Sequence, residues 1–121
     1  MWLDALAAMA RADRAHRGFF RPAVPGWEPP VDLLETTDGV TLIVALPGVR
    51  AADVELAIGA DEIAIAGIRH LPAPRGPARI HRMELPHGRF ERHVRLPAGR
   101  YELVRRDLLD GCLTITLRKL T

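Results

Sequence analysis

The 121-residue chain has no serine, no asparagine and no glutamine, and Lys119 is the one lysine among its seventeen basic residues. Without serine there is no Ser/His/Asp triad. A single cysteine, Cys112, excludes an intramolecular disulfide framework and suits a reducing compartment. No stretch approaches ~18 apolar residues, so no membrane span is expected. The first residues, "MWLDALAAMARADRAHRGFF", carry an acid at position 4 and arginines only after the apolar part, the wrong order for a secretory signal. A soluble cytoplasmic protein is expected. The missing amides read as the Ala/Arg/Pro bias of a GC-rich genome, with thermophily as the alternative.

Other chemistry is thin as well. Cys112 follows a turn glycine inside a predicted strand and reads as an inert, buried thiol. The five histidines, His16, His70, His81, His87 and His93, are scattered without metal-site spacing. The carboxylates fall on outward strand positions or beside turns, which leaves no general acid/base pair. No glycine-rich loop suits a phosphate. Neither an enzyme nor a bound metal or cofactor is expected.

What the chain does have is apolar content and a charge split. Hydrophobic residues make up 48% of it, enough at this length for a core without staples. From Glu28 to Ile68 there are eight acids against Arg50 alone, a balance of −7; from Arg69 to Arg106 there are ten arginines against three glutamates, a balance of +7. A basic half can mark a nucleic-acid surface. Here its only aromatics are Phe90 and Tyr101, its arginines alternate with apolar residues, and no stacking platform results. Complementarity between the halves, within one fold or between two copies, is the better reading.

Residues 2–16 place Trp2, Leu3, Leu6, Met9 and Ala10 on one helical stripe. "GFFRPAVPGWEPP" follows as a Pro/Gly-punctuated linker whose aromatics either pack on the domain edge or form a sticky arm. From Val31 the period becomes two. "VDLLETT" and "VTLIVAL" are joined at Asp38-Gly39; the second is apolar on both faces, hence central. Pro47-Gly48 makes a tight turn, and "DVELAIG" and "EIAIAGI" follow. Residues 70–78 form a long loop. "RIHRMEL", "RFERHVRL", "RYELVRRDLL" and "CLTITLRKL" supply the remaining strands. Short strands with frequent turns predict an all-β sandwich.

Three stretches then carry a resemblance: "VDLLETTDGVTLIVALPGVRAADVELAI", "GRFERHVRLP" and "DGCLTITL". In this order and spacing they resemble the α-crystallin domain of bacterial-type small heat-shock proteins. The resemblance implies an immunoglobulin-like β-sandwich over 31–118, after a short helical arm and linker over 1–30, with 119–121 as a vestigial tail. It implies an ATP-independent holdase whose partners are partly unfolded proteins and a second copy of itself. A related sandwich of the CS-domain kind, docking on one partner as a co-chaperone or adaptor, is the alternative.

The resemblance also assigns roles. Client contacts are expected from Trp2, Phe19, Phe20 and Trp27 in the arm, and from a groove lined by Val54, Leu56, Ile58, Leu103 and Leu108. Alternation alone leaves those groove residues open to being plain core. The loop after Ile68 is expected to add a strand to a partner's first strand; the charge split, and not the resemblance, then sets Arg79, Ile80 and Arg82 against Asp32 and Glu35. Arg92 matches the family's interface arginine in "F-x-R-x-(apolar)-x-L-P". Four departures stand out. Arg106 occupies a place where the family usually has a small alanine, the loop "LPAPRGP" is short, the usual Leu-Pro-Lys end is Leu117-Arg118-Lys119, and the family's Ile-x-Ile tail is missing. The last of these leads to an expectation of dimers or small assemblies with an open groove.

Overall fold

Two antiparallel sheets form the protein in the computed structural model, which describes residues 26–120. The helix expected over 2–16 lies outside the described residues, as do Trp2, Phe19 and Phe20. The strands are β1 (Val31–Glu35), β2 (Gly39–Ala45), β3 (Val54–Ile58), β4 (Glu62–Arg69), β5 (Gly88–Arg95), β6 (Arg100–Leu109) and β7 (Cys112–Leu120). One sheet has the order β1-β2-β7-β6, the other β3-β4-β5. This is the β-sandwich that the alternation predicts.

The segment 79–85, expected to be a strand, is irregular, with bends at His81 and Leu85, and pairs with no strand among the described residues. A strand needs a neighbour for its backbone groups, and the described residues offer this segment none. β2 is central, as its two apolar faces require: it pairs with β1 on one side and β7 on the other.

Between the sheets lies one core. Val40, Leu42 and Val44 of β2 meet Leu113, Ile115 and Leu117 of β7, while Leu56, Ile63, Ile65 and Phe90 close it from the other sheet. Among the described residues no polar or charged side chain is buried. Cohesion is therefore apolar, at roughly 1.5–3 kcal/mol per fully buried large aliphatic or Phe side chain.

Turn chemistry sets the registers. Asp110 and Gly111 both have positive φ, 54° and 75°, and join Leu109 to its register partner Cys112. This is the two-residue hairpin turn that matches strand twist. Gly39 plays a different part from the one Asp38-Gly39 suggests. It has no positive φ; it lets β7 come close, since a Cβ there would stand 2.0 Å from the Leu117 carbonyl oxygen. At the start of β6, the Tyr101 hydroxyl donates to the carbonyl of Pro97 at 2.8 Å, a tyrosine corner at the sandwich end.

Candidate functional site: two open edges and a bridged slot

Among the described residues, β1 and the loop before β5 carry six of the ten exposed large hydrophobic side chains. Thr36 N–H donates to Gly39 O, and Ala45 N–H to Pro30 O. By antiparallel alternation, the backbone groups of Val31, Leu33 and Glu35 then point away from β2, at an open edge. Leu33 and Leu34 are exposed on this strand. Asp32 and Glu35 are exposed too, but on opposite faces of β1, because they are three residues apart on a period of two. In the loop, Leu71, Ile80, Met83 and Leu85 are exposed, Ile80 to 69%. Arg79 and Arg82 are exposed beside them.

Arg69 ties the base of this loop. Its Nε donates to the Pro47 carbonyl at 2.8 Å and its Nη1 to the Pro86 carbonyl at 3.0 Å. The chain leaves the sheet at Arg69 and is caught again at Pro86, so the intervening residues project from a fixed root.

A second candidate region is the gap between β3 and β6, the edge strands of the two sheets. The groove residues expected from the sequence do not behave alike here. Val54 and Leu56 are 5% and 2% exposed and belong to the core, so they are not an accessible lining. Ile58 and Leu108 are partly buried against that core, and Leu103 is 41% exposed. A bulge between Leu103 and Arg105 shifts the parity of β6, which puts Tyr101, Leu103, Arg106 and Leu108 all on the inward side, opposite Lys119, Leu117, Ile115 and Leu113. The Arg106 Nη2 donates to the Val54 carbonyl across the gap at 3.1 Å. The groove expected to be open is thus bridged by an arginine side chain.

Trp27 packs on the domain edge and is not a free arm. Its ring centroid is 5.2 Å from that of Phe90, and its Nε1 donates to the Gly88 carbonyl at 3.2 Å. Its backbone brackets β5, with Trp27 N–H donating to Arg89 O and Glu91 N–H donating to Trp27 O. Arg92 sits on the same side of β5 as Phe90, opposite Ile65, and bonds to none of the described residues.

On the outer face of that sheet, His93 lies between two carboxylates. Its Nδ1 is 2.5 Å from a Glu62 carboxylate oxygen and its Nε2 is 3.2 Å from one of Glu91. Among the described residues no group of three His, Cys, Asp or Glu side chains is placed to hold a metal ion, and no helix is long and apolar enough to cross a membrane. Cys112 is half-buried and unpaired.

Comparison with known proteins matches this arrangement. The model of the Hsp20/alpha crystallin family covers residues 32–121. Spore protein SP21 of Stigmatella aurantiaca is 32% identical over 100 residues, covering 82% of this chain and 59% of the relative. The 17.6 kDa class I heat shock protein 1 of Arabidopsis thaliana is 32% identical over 91 residues, 74% of this chain and 59% of the relative. The chain therefore spans about three-fifths of the length of these curated relatives. Among solved structures, hspA from Xanthomonas axonopodis superposes with a TM-score of 0.67 at 26% identity, over 78% of this chain and 96% of that one. A small heat-shock protein from Xylella fastidiosa gives 0.66 at 26%, over 80% and 90%. Fold and sequence agree, and the chain belongs to the Hsp20/alpha crystallin family, the small heat-shock chaperones.

Proposed function

We propose that this protein is an ATP-independent holdase that captures partly unfolded proteins and keeps them from aggregating, and that it works in the cytoplasm. The observation that carries this is the apolar surface left on elements without a full set of strand neighbours: Leu33 and Leu34 on β1, and Leu71, Ile80, Met83 and Leu85 on the loop. Unfolded clients share apolar content and not sequence, so a dispersed apolar surface of loose specificity suits them. The single unpaired cysteine suits a reducing compartment.

Part of the same surface serves a second copy. The 79–85 segment of one protomer straightens and adds to the open edge of β1 in the other, where the backbone groups of Val31, Leu33 and Glu35 await partners. Arg79 and Arg82 then approach Asp32 and Glu35, with Ile80 between the arginines. Because Asp32 and Glu35 lie on opposite faces of β1, the two arginines serve one acid each. Arg92, on an inward face with no described partner, takes its partner from the second copy.

Light scattering from a heat- or reductant-destabilised client, mixed with the chain in the absence of ATP, tests the activity. Suppression at near-stoichiometric ratios is expected. Unchanged scattering at every ratio overturns the proposal.

A further inference from the structure

Arg106 is a cation on the core-facing side of an edge strand. Its register partner is the fully buried Ile115, and Leu103 and Leu108 flank it on the same side. A guanidinium so placed would ordinarily turn to a carboxylate. The nearest acid on its own strand, Asp107, is instead taken by Arg105 Nε at 2.7 Å. Arg106 reaches to the other sheet and donates Nη2 to the Val54 carbonyl at 3.1 Å. That carbonyl belongs to an open edge. Gly59 N–H bonds Glu62 O, so by alternation the carbonyls of Val54, Leu56 and Ile58 point away from β4. Among the described residues, one neutral oxygen is the only acceptor this cation has, and its other N–H donors have none.

We infer that Arg106 sets the chemistry of the slot between β3 and β6: the slot takes an extended apolar segment that carries a carboxylate, and rejects a purely apolar one. A segment lying along the two edges strips water from the guanidinium. One neutral carbonyl does not compensate a desolvated cation. A carboxylate in the segment does, by accepting the unused N–H groups in charge-assisted, bidentate bonds. Apolar side chains on either side of that carboxylate meet Ile58, Leu103 and Leu108, while the segment's backbone meets the open carbonyls of β3. Discrimination comes from the penalty on the wrong partner as much as from the bonds to the right one. The source of such a segment, a partly unfolded protein, rests on the holdase reading; the chemistry of the slot is tested without it.

Two capped, dye-labelled heptapeptides of alternating valine and isoleucine are titrated into the full chain by fluorescence anisotropy. They differ only at the central residue, Glu in one and Gln in the other. The Glu peptide is expected to bind about tenfold more tightly, with the difference shrinking as salt rises. Arg106→Ala is expected to erase the preference and to tighten binding of the Gln peptide. If Arg106→Ala does not fold, Arg106→Gln and the wild-type comparison carry the test. Equal affinities in the wild type, a preference that survives loss of the guanidinium, or no binding of either peptide overturns the inference. Aggregation suppression measured on the same preparations separates the two proposals. Suppression without a peptide preference overturns the role of Arg106 and leaves the holdase standing. A preference without suppression does the reverse.

Discussion

The indole of Trp27 tilts over the ring of Phe90 at 55°, with centroids 5.2 Å apart, and fastens the linker to the edge of the three-stranded sheet. Phe90 is itself buried at 2% exposure, so Trp27 covers a core residue and does not reach for a partner. The indole N–H, bonded to the Gly88 carbonyl, fixes the ring in that place.

Trp27→Ala is therefore expected to act on stability first. It removes an aromatic pair and uncovers Phe90, at a cost of about 2–4 kcal/mol, below the ~3–5 kcal/mol of fully buried aromatic truncations because Trp27 is only partly buried. Trp27→Phe keeps an aromatic ring on Phe90 but loses the hydrogen bond and part of the ring area, about 1–2 kcal/mol. Urea unfolding followed by circular dichroism measures both. A Trp27→Ala chain of unchanged stability but weakened client capture would restore the sticky-arm role.

Tyr101→Phe isolates one hydrogen bond. The hydroxyl reaches a carbonyl four residues upstream and clamps the bend between β5 and β6. Its loss leaves the Pro97 carbonyl without that donor and is expected to cost about 1 kcal/mol. For a domain of this size the midpoint of thermal unfolding should fall by about 4–8 °C. A scanning calorimetry trace that overlays the wild type would assign the bend to packing alone.

Much of this architecture is legible in the sequence because local chemistry and the global fold agree. Asp110-Gly111 demands a turn of one kind, and the apolar run at β2 demands a central place. The slot is where legibility fails. Val54, Leu56 and Ile58 share one parity, so alternation treats them alike, yet two are core and the third lies near the rim. Leu103 and Leu108 have opposite parity, and only the bulge after Leu103 turns both inward. That same shift places Arg106 inward, which no count from Tyr101 along a regular strand can foresee. The 79–85 segment fails for another reason: alternation reports a strand's side chains and not its neighbour, and none of the described strands pairs with this segment.

Gly39→Ala tests a close approach. Replacing glycine by alanine in extended backbone usually stabilises by about 0.4–1 kcal/mol, because the unfolded chain loses freedom. Here the new methyl would stand 2.0 Å from the Leu117 carbonyl oxygen and 3.0 Å from the Arg118 Cα. Both are backbone atoms of the central β2–β7 ladder, so relief requires the strands to part. The sign is expected to reverse, with a loss of at least about 1–3 kcal/mol. Chemical denaturation gives the value directly, and a stabilised Gly39→Ala would mean that β2 and β7 sit farther apart than described.

Charge reversal tests the exchange of strands between copies. If the 79–85 segment lies on β1 of a second protomer, Arg79→Glu with Arg82→Glu turns two attractions to Asp32 and Glu35 into repulsions. Exposed pairs contribute about 0.2–1 kcal/mol each. A dimer contains the contact twice, so a weakening of roughly tenfold or more in the dissociation constant is expected at low salt. Screening shortens the reach of such charges from ~10 Å at 0.1 M to ~3 Å at 1 M salt, and most of the defect should vanish at the higher concentration. Asp32→Arg with Glu35→Arg in the same chain should restore the dimer at low salt, while Ile80→Ala should weaken it equally at both. Sedimentation velocity across a concentration series reads all three. A dimer indifferent to the double reversal at every ionic strength would remove the charge split from assembly and leave apolar strand addition to hold the copies together.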